Sequence, residues 1–536
     1  MNKDVDILIA GGTVYDGRGN PGQLLDVAIK DDKIYQIGSH LDRDRAKTVI
    51  EASGLSVSPG FIDPHSHTDI ELLVNPKAES KIRQGVTTEI SGNCGFTMFP
   101  LSDANFEEKK KYTEEKYGVD IDWKDIGGFF RRMEEGGIAL NYATLVGHGS
   151  IRSAVFGHED RPPSDREMEA MKRLIRECME AGAMGLSTGL IYTPGCFART
   201  EEIIELCREV AAYRGIYATH MRNEGDCLIE SVEEAILIAQ EANVSLQISH
   251  LKLAYPRNWS KLHSVLSRIS EVNAQGMEIL ADRYPYTATS TLLNTFIPRW
   301  VQQGSTDEYL TRLKDPALDG KIREFVKIQE EKVGSWDKVF ISSVLTKENQ
   351  HLVGKSIHQA ALEVGKEPYT LIRDLLITEE DQVWMINFSL SEDNFKRIIA
   401  HPLVVIGSDG WALAPYGALG RDKPHPRSYG TFPRMLGRYV RDENLMPMGI
   451  AIEKMTSLPA RKFGLWGRGQ IRKGFFADIV VFDLDNIIDL ANWTDPHQFG
   501  RGIEYVIVNG QIVIREEEHT GVLPGRVLKK IDRITL

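Results

Sequence analysis

Ser58-Pro-Gly-Phe-Ile-Asp-Pro-His-Ser-His-Thr-Asp69 closes one structural unit and opens another on a pair of potential metal ligands. At the end of a β-strand, side chains two residues apart point to one face, so His65 and His67 can converge on one ion. Pro59, Gly60 and Pro64 mark the flanking connections as constrained. In a chain of 536 residues with 14 His, an H-x-H pair carries little weight alone. Its weight comes from what lies on either side.

Upstream, residues 4–58 carry short β-rich runs punctuated by glycine, among them Ile7-Leu-Ile-Ala, Leu25-Asp-Val-Ala-Ile-Lys and Lys33-Ile-Tyr-Gln-Ile-Gly. They read as a small antiparallel sheet. The same texture returns at Ala477–Asp483 and Tyr505–Ile514, where Asn509-Gly510 is a hairpin turn signal. Each piece is thin for a core of its own. Residues 1–58 and 467–536 are therefore expected to pair into one small β-sandwich domain.

Downstream, β-type runs ending in a polar residue alternate with amphipathic helices such as Ser164–Ala181 and Glu201–Tyr213. Candidate strands end at His65/His67, Cys94, His148, Thr188, His220, His250, Asp282 and Asp409. Eight strands, each ending in a polar or reactive side chain, predict an α/β fold: a (β/α)8 TIM-like barrel over 59–466 with its site at the C-terminal rim. An open doubly wound sheet would want a Gly-rich phosphate loop after its first strand, and none is found. The interval 287–344 is too long for a βα connection and contains a helical stretch, 319–332, so it reads as an inserted lid-like segment.

Composition narrows the partner. A net charge of −12 argues against nucleic acid and anionic membrane surfaces. With 42% apolar residues and no run of about 18 apolar residues, the chain reads as a soluble protein acting on a small molecule. Five cysteines without a C-x-x-C pair fit reduced thiols, and Met1-Asn-Lys-Asp opens without a signal-peptide pattern, so a cytoplasmic location is expected.

His65, His67, Cys94, His220, His250 and Asp409 supply imidazole, thiolate and carboxylate, the donors that zinc takes. Each has a plain alternative when taken singly: a satisfied core histidine, a small buried thiol, a turn-forming Asp before Gly410. Six at successive strand ends point to a metal centre.

These residues carry a resemblance. Pro59–Asp69, Gln84-Gly-Val-Thr-Thr-Glu-Ile-Ser-Gly-Asn-Cys-Gly95, Gly185–Gly195, Thr219-His-Met-Arg-Asn-Glu224, Ile248-Ser-His-Leu-Lys252, Asp282-Arg-Tyr-Pro-Tyr286, Gly407-Ser-Asp-Gly410 and His425–Arg434 resemble the D-aminoacylase (N-acyl-D-amino-acid deacylase) family of the amidohydrolase superfamily. The resemblance covers most of the chain, and the Gly-Asn-Cys-Gly segment is its most specific part. It implies zinc-dependent hydrolysis of N-acyl-D-amino acids to a carboxylate and a free D-amino acid. It also implies one Zn2+ held tightly by Cys94, His220 and His250, a second, weaker metal place at His65 and His67, and Asp409 as catalytic acid/base. For the substrate α-carboxylate it implies Arg427, Lys252, Tyr192 and Tyr284. One departure is Trp411–Gly420, longer than in the shortest family members.

Two rivals remain at this level. A cyclic-amide hydrolase of the hydantoinase or dihydroorotase type shares the barrel and H-x-H, but Cys94 and His425-Pro-Arg427 weigh against it. An inactive amidohydrolase-like scaffold would have lost ligands that this chain keeps. Arg283 and Arg299 are placed near the pocket, as partners for an acidic D-side chain or as exposed arginines. His148 is assigned no ligand role and is expected to hydrogen-bond behind the ligands.

Overall fold

A computed structural model describes residues 3–530. We label the barrel strands β1 (Phe61–Asp63), β2 (Val86–Ser91), β3 (Asn141–Thr144, resuming at Val146–Gly147), β4 (Gly185–Gly189), β5 (Ile216–His220), β6 (Ser245–Ile248), β7 (Ile279–Arg283) and β8 (Val404–Ile406). Parallel pairing runs from β1 through β3 and from the resumed part of β3 through β8. A bridge between Ser66 and Gly410 joins the two ends, which closes the (β/α)8 barrel. Because both faces of a parallel sheet are covered, its strands are near-continuous buried runs rather than alternating ones. Leu186, Tyr217, Leu246 and Ile279 stand in register across four neighbouring strands.

The helices wrapped outside follow their sequence signals. The helix Asp165–Ala181 begins on Ser164, which forms a capping box with Glu167, and it stops at Gly182 with φ +113°. It turns Met171, Ile175, Cys178 and Met179 onto the barrel. Each such side chain, fully buried, contributes about 1.5–3 kcal/mol.

Strands from both ends of the chain share one nine-stranded sheet. Ser56–Pro59 pairs antiparallel with Ile479–Phe482, the contact that joins the amino-terminal strands to the carboxy-terminal ones. The sheet closes around Ile9, Val27, Ile29, Ile50, Val57, Ile479, Val481 and Ile507, the core of the small β-sandwich. It is not wholly antiparallel: Val5–Val14 pairs in parallel with Ala46–Glu51 and with Ser56–Pro59, because the chain returns to this strand through connections rather than tight hairpins. Asn509 and Gly510 both take positive φ, as their hairpin requires.

The excursion after β7 runs further than 287–344. Strands Thr289–Leu292, Val339–Ser343 and Trp384–Asn387 form a three-stranded sheet, the last of them well past residue 344. Leu293, Phe296, Ile322, Trp336, Ile372 and Met385 belong to a hydrophobic cluster of its own. A partner strand some 40 residues downstream leaves no local signal, which is why the sequence reading stops too early. Among the described residues no helix is long and apolar enough to cross a membrane.

Candidate metal centre

His220 ends β5, while Cys94, His250 and Asp409 sit in the turns just beyond β2, β6 and β8. Those three residues take left-handed backbone, with φ +54°, +38° and +53°. Side chains other than glycine rarely adopt that conformation, and it costs roughly 1–3 kcal/mol each, so the surrounding structure must hold it. The turn it creates aims each side chain across the barrel mouth. His65 and His67 lie two and four residues beyond the end of β1, held by the Ser66–Gly410 bridge rather than by a strand.

Donor atoms of Cys94, His220 and His250 all lie within 4.8 Å of one another, as do those of His65, His67, Cys94 and Asp409. Cys94 belongs to both groups. Its Sγ is 3.4 Å from His250 Nε2 and 3.5 Å from His65 Nε2. Burial pushes the Cys94 thiol up, but the His250 and His65 imidazoles outweigh it and hold the sulfur well below its usual range, as thiolate. Burial likewise works against a charged His65, yet Asp282, Asp409 and Cys94 raise it well above its ordinary value. The buried negative groups thus draw positive charge into this place. His220 is buried and neither of its ring nitrogens has a hydrogen-bond partner, which leaves a lone pair for a metal. One thiolate with two imidazoles is a zinc-type donor set.

The second ring nitrogens are fixed from behind. Asp282 Oδ1 is 2.9 Å from His65 Nδ1, and Glu224 Oε1 is 3.0 Å from His250 Nδ1, so each ring turns its Nε2 inward. Sequence reasoning gave neither acid a role. Asp282 was visible as a strand end in phase with the ligands; Glu224 had only its place four residues beyond His220.

The residues expected to hold a carboxylate surround the same mouth. Arg427 Nη1 donates to Asp409 Oδ2 at 2.5 Å, and its guanidinium stands 4.8 Å from the Tyr284 ring. Lys252 Nζ is 2.7 Å from Glu224 Oε1 and 2.6 Å from His250 Nδ1. The Tyr192 ring meets the His220 ring edge-on at 5.0 Å, and its hydroxyl pairs with Thr291 of the excursion sheet. Arg427 Nε and the Tyr284 hydroxyl are buried with no hydrogen-bond partner. Two orphaned donors side by side ask for an acceptor from a ligand.

Three further residues are singled out by the sequence. His148 pairs through Nε2 with Glu202, which also holds Arg152, rather than with the ligands. Arg283 is buried, not exposed: its guanidinium lies 4.1 Å from the Tyr284 ring and donates through Nη2 to the Tyr286 carbonyl at 2.8 Å, with Phe395 of the helix Glu392–Ala400 farther off at 5.8 Å. Arg299 lines a groove with Thr200, Arg222 and Glu234 beside the helix Leu228–Ala242.

Comparison with known proteins identifies the family. Residues 48–514 match the Amidohydrolase family. The chain is 37% identical to a D-aminoacylase of Alcaligenes xylosoxydans xylosoxydans, over 98% of both proteins. It is 34% identical to an N-acyl-D-glutamate deacylase of the same organism, over 99% of this chain and 98% of that one. Its fold superposes with a TM-score of 0.84 on the N-acyl-D-glutamate deacylase of Bordetella bronchiseptica, 32% identical, covering 98% of this chain and 100% of that one. That structure was solved with zinc and a phosphonate mimic of the tetrahedral intermediate. With relatives of this kind matched from end to end, and a thiolate–imidazole cluster at the rim of a closed barrel, the chain belongs to the D-aminoacylase group of the amidohydrolase family.

Proposed function

We propose that this chain hydrolyses N-acyl-D-amino acids to a carboxylate and a free D-amino acid, with zinc held by Cys94, His220 and His250. The observation that carries the reading is two sets of buried polar atoms without hydrogen-bond partners at one barrel mouth. The His220 nitrogens lack a hydrogen-bond partner beside the Cys94 thiolate, with Glu224 Oε2 3.5 Å from Nε2, and Arg427 Nε and the Tyr284 hydroxyl lack an acceptor. One set suits a metal and the other a carboxylate. His65 and His67 offer a second, weaker place that shares Cys94.

Zinc bound there supplies a Lewis acid that polarises the amide carbonyl and makes water nucleophilic near neutral pH. The protein does the rest. Asp409 Oδ1 faces His67 Nε2 at 2.9 Å, while Oδ2 is held by Arg427, so Oδ1 is the atom placed to take the proton of the attacking water. The same oxygen then returns a proton to the leaving amine. Arg427, Lys252, Tyr192 and Tyr284 hold the α-carboxylate, for which a planar guanidinium is well shaped. With carbonyl and carboxylate both fixed, exchanging hydrogen and side chain at Cα drives an L-side chain into the wall, which selects the D-form.

The five cysteines all stand free, which supports a reducing, cytoplasmic setting for a small-molecule enzyme. The relatives named for aspartate, glutamate and general D-amino acids are 34–37% identical to this chain, so identity does not choose among side chains. The test is a hydrolysis panel of N-acetyl-D-Leu, -Met, -Phe, -Asp and -Glu, their L-enantiomers and a hydantoin. Turnover of D-substrates alone is expected; equal turnover of L-forms, or turnover of the hydantoin only, would overturn the reading.

A further inference from the structure

Lys81 lies at the seam where the barrel closes, and no part of the proposed mechanism uses it. Lysine, Asp63, Ser66, Glu89 and Ser408 are all fully buried there. Lys81 Nζ donates to Asp63 Oδ2 at 2.5 Å and to Ser408 Oγ at 2.7 Å, and reaches Ser66 Oγ at 3.3 Å and the Gly410 carbonyl at 3.5 Å. Glu89 Oε2 stands 3.6 Å away and accepts from Ser66 Oγ at 2.8 Å. The ammonium group therefore touches both sides of the seam: Asp63 and Ser66 flank His65, and Ser408 and Gly410 flank Asp409.

The seam has few strand-to-strand bonds to set its register. Where neighbouring strands elsewhere in the barrel share runs of paired residues, β1 and β8 meet through the isolated Ser66–Gly410 bridge. The backbone bonds Asp409 N to His65 O, 2.8 Å, and His67 N to Gly410 O, 3.0 Å, come with it. Ser408 is further tied to Asp63, through N to Oδ1 at 2.9 Å and through Oγ to Oδ2 at 2.5 Å. Asp409 itself sits in left-handed backbone that these contacts must hold.

We propose that Lys81 is a positioning residue for the reaction, setting the distance between Asp409 and the His65/His67 pair through Ser66, Ser408 and the Gly410 carbonyl. The inference rests on the deacylase reading above. Lys81 touches no substrate. Its effect is geometric: with the clamp gone, the His-x-His turn and the Asp409 turn slide past each other while the carboxylate-holding residues on other strands stay in place.

The test compares Lys81→Met, which keeps the side-chain length, with Ser408→Ala and the double variant. Steady-state kinetics are run on N-acetyl-D-amino acids well below each protein's melting temperature. A misplacement on the ångström scale lowers kcat roughly 100-fold, with KM moving by no more than about threefold. The two substitutions act on one contact, so the double variant falls far short of the product of the single effects. A residue serving stability alone would lower Tm and leave the kcat of the folded protein unchanged, and that outcome overturns the proposal. So does a fully multiplicative double variant. If Lys81→Met does not fold, Ser408→Ala decides: lowered kcat at constant KM supports the clamp, and parental kcat ends it. A parent inactive on every N-acetyl-D-amino acid would remove the deacylase reading and this inference together, whereas an active parent with unchanged variants removes the inference alone.

Discussion

Arg427 Nη1 and Asp409 Oδ2 are 2.5 Å apart and buried, so the guanidinium proposed to hold the substrate carboxylate also grips the proposed acid/base. One cation serves both ends of the reaction. Burial pushes the Asp409 carboxyl up, but Arg427 and the His250 and His65 charges outweigh it and hold it well below the usual carboxylate range.

Arg427→Met therefore has two effects. Loss of a charge-assisted pair to the substrate lowers kcat/KM for N-acetyl-D-amino acids by roughly 30-fold to several thousand-fold, corresponding to about 2–5 kcal/mol. Asp409 must begin as carboxylate, and without the cation its protonated form gains ground. The acid limb of the kcat/KM profile should then move to higher pH. A pH–rate profile with an unmoved acid limb would show that the ion pair does not govern Asp409.

Asp409→Asn keeps the shape of the side chain and removes its ability to carry a proton. Turnover is expected to fall roughly 10²–10⁴-fold, the usual size of a lost general acid/base, with bound zinc little changed. Single-turnover kinetics and metal analysis on the same sample check this. Near-parental turnover would place the acid/base elsewhere.

Cys94→Ala removes the donor common to both ligand groups. Zinc content, measured after dialysis against a chelator, should drop from about one ion per chain towards none, and activity with it. Full zinc and full turnover in this variant would exclude the thiolate as a ligand.

Glu224→Gln leaves His250 Nδ1 and Lys252 Nζ without their shared carboxylate. Zinc affinity, read by competition with a chromogenic chelator, is expected to weaken about 10–100-fold. KM should rise as well, because Lys252 loses its anchor. Unchanged affinity would mean that Glu224 does not orient the ring.

The pair of Glu202 with His148 and Arg152 predicts a pH-dependent contribution to stability away from the metal. Burial raises the Glu202 carboxyl, but His148 and Arg152 outweigh it and leave it below its ordinary 4.5. A depressed carboxyl stabilises the fold above its unfolded value and loses that contribution as pH falls through the folded one. Glu202→Gln should thus lower Tm at neutral pH, where breaking a buried pair costs about 3–5 kcal/mol. The gap from the parent should narrow below about pH 4.5. Thermal melts between about pH 3 and 7 would show it; a gap constant across that range would count against the ion pair.

The sequence by itself determined the barrel and the chemistry of its rim. Strand and helix periodicity is local, so eight polar-ended β-runs, the Ser164 cap and the Asn509-Gly510 turn could be read directly, and with them His65, His67, Cys94, His220, His250 and Asp409 as donors at one rim. Tertiary structure alone decided how those donors are held. His65 and Asp282 are 217 residues apart in the chain, and they meet only because closure of the barrel sets β1 close to β7. The left-handed turns at Cys94, His250 and Asp409, the Arg427–Asp409 contact, the packing of Arg283 on the Tyr284 ring and the reach of the excursion to Asn387 were likewise settled by packing. Each depends on how turns, helices and strands pack against one another once the barrel has closed, and a local sequence pattern carries no information about that packing.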